Sequence, residues 1–144
     1  IIKEKITLLD ISVEDIIAIK NGSDFTDKNG EIHSNESLTY QPHIPKTYAY
    51  CSDTEYSEAI IPIVSEIDLL YHEATFMDIH TARAAETKHS TSVQAATIAQ
   101  KSNVKNLLIG HYSSRYENLD GLLDEAKRVF SNTQLAIEGN WYSV

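Results

Sequence analysis

Three short apolar runs in this chain each stop abruptly at residues that bind metals or move protons. They are Tyr48-Ala-Tyr-Cys51 before Ser52-Asp53-Thr54, Ile67-Asp-Leu-Leu-Tyr71 before His72-Glu73-Ala74-Thr75, and Leu107-Leu-Ile-Gly110 before His111-Tyr112-Ser113-Ser114-Arg115-Tyr116. Runs this short, separated by helix-length stretches, read as buried strands of an α/β sheet. Such sheets place ligands beyond the carboxyl ends of their strands. A fourth cluster, His89-Ser90-Thr91, falls where a loop meets the next helix pattern. Asp, Glu and His side chains from distant segments can therefore converge at one edge.

From Thr47 onward strand and helix patterns alternate, which predicts βαβ units with right-handed crossovers. Helices are expected over 55–65, 91–101 and 119–130, with a closing strand near 134–138. Pro62 lies inside the first of these and is expected to kink or shorten it. Ser90 or Thr91 is a natural cap for the second. Residues 1–46 read as an irregular segment, apart from 47–144. Helix-like apolar spacing covers 6–19, Asp27-Lys-Asn-Gly30 signals a turn, and Pro42 and Pro45 flank an extended stretch.

With 144 residues, 42% of them hydrophobic, the chain can bury one ordinary core. Its apolar stretches are too short to cross a bilayer, and Ile1-Ile-Lys-Glu-Lys5 lacks the pattern of a secretory signal, so a cytoplasmic setting is expected. The single cysteine, Cys51, sits in an apolar run and reads as a buried structural thiol. Twelve basic against 21 acidic residues give a net charge of −9, which argues against a general RNA-binding module. It does not argue against an enzyme whose phosphate contacts come from metal ions and a few local cations.

Taken singly, each cluster also has an ordinary structural reading. Asp53 in Ser-Asp-Thr suits a turn or cap, and His111 after Gly110 can be a ligand or a hydrogen-bonded structural residue. His72 and Glu73 after a buried strand must be paired or solvated. His89 suits either chemistry or a plain helix-entry position. Tyr112 and Tyr116 suit packing, and His33, His43 and His80 read as exposed loop residues.

Together the clusters resemble ribonuclease Z, the tRNA 3′-processing endonuclease family of the metallo-β-lactamase superfamily. The segments that carry the resemblance are Tyr48-Ala-Tyr-Cys-Ser-Asp-Thr54, Leu70-Tyr-His-Glu-Ala-Thr-Phe76, Lys88-His-Ser-Thr91 with Gln94-Ala-Ala96, and Gly110-His-Tyr-Ser-Ser-Arg-Tyr116. They span about 47–138, with a weaker likeness before them, where 1–22 would edge the family's tRNA-binding arm. The resemblance implies an α/β fold, the C-terminal half of a metallo-β-lactamase αββα sandwich. It implies that Asp53 bridges two zinc ions, that His111 ligates one, that His89 donates a proton to the leaving oxygen and that Glu73 orients His89. His72 and Thr54 would support these groups from behind, and Arg115 would contact phosphate or, by slight preference, hold its loop. Precursor tRNA is the implied substrate and a homodimer the implied assembly.

One departure from the family pattern is large. The principal metal motif, His-x-His-x-Asp-His, and a further His ligand are absent from these residues. Asp53 and His111 alone are too few for two ions that each take about four ligands. The chain is therefore expected to be half of the enzyme, inactive by itself. Two other readings remain: another binuclear metallo-hydrolase of the same superfamily, or a non-catalytic binding or assembly module.

Overall fold

The computed structural model describes residues 1–40 and 44–144, so Pro42 and His43 lie outside the described residues. The chain divides into two units, Ile1–Ile44 and Pro45–Val144. In the first, the periodic stretch 6–19 is not one helix but two, α1 (Lys3–Leu8) and α2 (Val13–Lys20). Asp10, at φ 52°, breaks the run, and the Ser12 side chain caps α2 by accepting the Asp15 N–H at 3.1 Å. A hairpin of β1 (Phe25–Thr26) and β2 (Ile32–His33) turns at Asp27-Lys-Asn-Gly30, followed by α3 (Asn35–Leu38). Ile11, Ile19, Phe25 and Leu38 form the core of this unit. His33, expected in an exposed loop, is instead half-buried in β2 with its Nε2 3.4 Å from Asp27.

The second unit carries a four-stranded parallel sheet in the order β3 (Tyr48–Cys51), β4 (Leu69–Glu73), β5 (Asn106–Gly110) and β6 (Thr133–Leu135). His72 and Glu73, expected just after a strand, are its last residues. Three helices accompany the sheet: α4 (Thr81–Thr87), α5 (Ser92–Lys101) and α6 (Asp120–Val129). The helix expected over 55–65 is absent; only a 3₁₀ turn, Glu58–Ile60, forms there. Pro62 supplies no N–H, and its ring would crowd the carbonyl of Glu58 in a longer helix. Helix α4 carries no apolar stripe, because of its residues only Ala84 is buried, and so it left no periodic signal. Helix α5 begins at a capping box, in which Thr91 accepts the Gln94 N–H and the Gln94 side chain accepts the Thr91 N–H.

Strand order that follows chain order makes every crossover step in the same direction, so right-handed connections put their helices on one face. Leu70, Leu107, Ile109, Ala49 and Cys51 point to that face and pack with Ala95, Ile98, Ala99, Leu122 and Ala126. Cys51 is half-buried rather than fully buried, and burial pushes its thiol pKa up. The opposite parity places Tyr48, Tyr50, Leu69, Tyr71, Leu108 and Gly110 on the other face, where Tyr48 and Tyr50 remain 51% and 63% exposed. Parallel sheets are ordinarily covered on both sides. This one resembles half of a sandwich. No helix among the described residues is long and apolar enough to cross a membrane.

Gly110 is dictated by that second face. A Cβ there would lie 2.7 Å from Cε2 of Tyr71, whose ring is stacked on Tyr50 with centroids 4.5 Å apart. The ring cannot retreat without breaking the stack. Gly110→Ala is therefore expected to destabilise the chain by about 1–3 kcal/mol, the usual cost of overpacking. Thermal or urea unfolding of the two proteins measures it; equal midpoints would refute the close approach.

Candidate active site

Glu73 is the centre of the carboxyl edge. Its side chain is fully buried at the end of β4, where an isolated carboxylate would be prohibitive, and it is satisfied by four donors. Thr54 N–H donates to Oε1 at 2.5 Å, Ser90 N–H to Oε2 at 3.0 Å and the Thr75 hydroxyl to Oε2 at 2.7 Å. His89 Nδ1 lies 3.1 Å from both oxygens. Burial pushes this carboxyl up, but the donors from Ser90, Thr75, His89 and Thr54 outweigh it and hold it below the ordinary range. Glu73 is thus ionised, and His89 must carry its proton on Nδ1 to donate to it. That leaves Nε2 of His89 unprotonated and without a hydrogen-bond partner among the described residues.

Around this carboxylate the three site loops close. Asp53 and His111 lie just past β3 and β5 with φ of 49° and 58°, and Lys88 ends α4 at φ 61°, one residue before His89. Left-handed backbone is uncommon outside glycine and is found where function constrains a loop. Here it places His111 Nε2 3.3 Å from Asp53 Oδ1, with the His111 and His89 rings 5.2 Å apart. Asp53, His89 and His111 each offer a ligand atom, and these lie within 4.8 Å of one another. Ser90 Oγ donates to Thr54 O at 2.8 Å, and an exposed Lys88–Glu55 pair at 2.8 Å links the same two loops.

The residues expected at the site are distributed as follows. Asp53, Glu73, His89 and His111 converge, and Thr54 joins them through its backbone N–H. His72 faces the helix side with Leu70; it is fully buried and its Nδ1–H donates to the Glu73 carbonyl at 2.8 Å. Burial pushes its pKa down, and its Nε2 has no partner among the described residues. Arg115 lies over the Phe76 ring, 5.0 Å from its centroid, and its Nε donates to Ser113 Oγ at 3.3 Å. Those contacts fasten its own loop. Thr75 was not anticipated, although its place two residues beyond Glu73 on an extended chain puts both side chains on one side. His80, expected as an exposed loop residue, is half-buried at the end of the Asp78–His80 3₁₀ turn, with its ring 6.4 Å from that of Phe76.

Two imidazoles and a carboxylate are donors that suit zinc, so the group fits one ion in kind. Three donors fall short of what a pair of ions requires. The arrangement can hold a metal at Asp53 and His111 and present the free Nε2 of His89 beside it.

No family model matches this chain. Solved structures give the class of protein. YhfI from Bacillus subtilis, a metallo-β-lactamase fold protein, superposes with a TM-score of 0.59 at 31% identity over 66% of this chain and 39% of its own. A long form RNase Z from yeast gives 0.59 at 28% identity over 67% of this chain and 13% of its own. The fold is α/β, and it is part of a metallo-β-lactamase fold.

More particularly, the chain is a homologue of ribonuclease Z. It is 49% identical to Ribonuclease Z of Parabacteroides distasonis over all 144 residues, 47% of that protein, and 53% identical to that of Porphyromonas gingivalis over 120 residues, 83% of this chain and 40% of that one. It spans about half the length of the curated relatives it matches.

Proposed function

We propose that this chain supplies part of the active site of a zinc-dependent endonuclease that removes the 3′ trailer of precursor tRNA by phosphodiester hydrolysis. The observation that carries the reading is the Asp53–His89–His111 cluster backed by ionised Glu73, in a homologue of ribonuclease Z. Asp53 and His111 would hold zinc, with the remaining ligands coming from outside these residues. Zinc, when bound, supplies charge stabilisation for the developing phosphorane and a nucleophile at neutral pH.

The chain's own groups do the rest. Glu73 fixes His89 with Nε2 facing the reacting edge, where Nε2 would first take up a proton from water and then pass it to the leaving oxygen, the ring returning to its neutral Nδ1–H form. Thr54 and Ser90 hold Glu73 through their N–H groups, while His72 supports the Glu73 backbone. Arg115 is read as holding its loop. The N-terminal unit as the edge of a tRNA-binding arm, a homodimeric assembly and a cytoplasmic setting complete the proposal. A second reading, favoured by a ring nitrogen of His89 lying within 4.8 Å of ligand atoms of Asp53 and His111, makes His89 a third metal ligand.

The test pairs zinc titration with cleavage. By calorimetry, this chain alone is expected to bind zinc weakly and without a stoichiometric pair, and to leave precursor tRNA uncut. The full-length protein is expected to bind two ions and cut at the 3′ side. Two tightly bound ions per isolated chain would overturn the division of the site. A full-length protein that hydrolyses a small phosphodiester but spares precursor tRNA would overturn the substrate.

A further inference from the structure

We propose that Thr75 is a positioning residue that presets the tautomer of His111, so that the single buried carboxylate of Glu73 orients both site histidines. It orients His89 directly and His111 through the Thr75 hydroxyl. The proposal rests on the reading of His111 as a zinc ligand.

Thr75 Oγ1 has three polar neighbours: Glu73 Oε2 at 2.7 Å, the His111 carbonyl at 2.8 Å and His111 Nδ1 at 3.0 Å. A hydroxyl has one proton to give. The ionised carboxylate is the nearest and strongest acceptor, so the proton goes to Glu73. The His111 carbonyl competes more weakly for the same proton, and with that proton engaged on either oxygen the contact to His111 Nδ1 is favourable only if Nδ1 carries the hydrogen and donates to Oγ1. Thr75 therefore favours the Nδ1–H tautomer of His111, whose Nε2 lone pair a metal shared with Asp53 would take up, whereas without metal the Asp53 carboxylate, 3.3 Å from Nε2, competes for a hydrogen there. The Nδ1–H form is the one such a metal requires, and partners behind a ligating imidazole commonly set it.

Among the described residues the hydroxyl is the polar group that holds His111 from the Nδ1 side. The His111 side chain is 39% exposed, so packing alone does not hold its ring, whereas Thr75 is buried and fixed by Glu73. Removing the hydroxyl frees His111 Nδ1 and takes one donor from Glu73. His89 keeps its direct bond.

Long-range ¹H–¹⁵N spectra of the zinc-free chain carrying Asp53→Ala, which removes the competing acceptor at His111 Nε2, read the tautomers. In that background the parental Thr75 and Thr75→Ser are expected to show His111 as Nδ1–H, while Thr75→Val mixes the two tautomers; His89 remains Nδ1–H in all three. Thr75→Ala is the second hydroxyl-free variant, should valine disturb the fold. In the full-length protein, losing the hydroxyl is expected to weaken zinc binding by roughly 10–100-fold, the usual cost of losing an outer partner, with serine restoring it. An unchanged His111 tautomer in the valine and alanine variants, or a lost one in the serine variant, overturns the proposal. A tautomer that shifts while zinc affinity holds supports the positioning by Thr75 and overturns the ligand role of His111.

Discussion

Asp53→Ala is expected to strip zinc from the full-length protein and abolish cleavage together. Asp53 lies just past β3 with its carboxylate 3.3 Å from His111 Nε2, and nothing else among the described residues places an anionic donor in that cluster. Losing even a partner behind a ligand costs roughly 10–100-fold in metal affinity, so losing a ligand should cost at least about 100-fold. The side chain is 75% exposed, so its loss leaves no cavity. Alanine at φ 49° adds strain of about 1–2 kcal/mol, and Asp53→Asn, which tolerates that backbone, separates strain from ligation. Metal content by elemental analysis and precursor-tRNA cleavage are measured on both variants. An alanine variant that keeps its zinc would end the ligand assignment.

For His89→Ala the expectation is different: cleavage falls by roughly 10²–10⁴-fold, the range of a general acid, while zinc content stays at the parental level. The reason lies in Glu73. The carboxylate holds His89 Nδ1 at 3.1 Å and turns Nε2 outward, and in the variant it keeps its donors from Thr54, Thr75 and Ser90. The loop and the ligand pair therefore survive the loss of the ring. Single-turnover cleavage and zinc content decide between the two roles of His89. Loss of zinc along with activity would establish it as the third ligand, and a parental rate would remove it from the chemistry.

Much of this site was legible in the chain. The apolar runs ending in Asp53, His72-Glu73 and His111 are strands because buried parallel strands need continuous apolar side chains, and their ends form the edge where polar groups gather. The start of α5 was legible too, since Thr91 and Gln94 satisfy each other's N–H groups locally. The helix over 55–65 failed because Pro62 outweighed apolar spacing. Helix α4 was invisible because nearly all of its side chains face water.

Period, capping and strand termini, all of them short-range, made the α/β class, the approximate strands and the strand-end and helix-entry clusters legible, and the resemblance to ribonuclease Z picked Asp53, Glu73, His89 and His111 out of those clusters. The resemblance implied that Glu73 orients His89; only the tertiary structure decided how Glu73 is satisfied and that Thr75 links it to His111. Glu73 takes its donors from residues 19 positions before it and up to 17 after it, and Thr75 reaches His111 across 36. No local pattern encodes those hydrogen bonds. They exist because a buried carboxylate must be satisfied, and packing the parallel strands side by side is what brings the donors within reach.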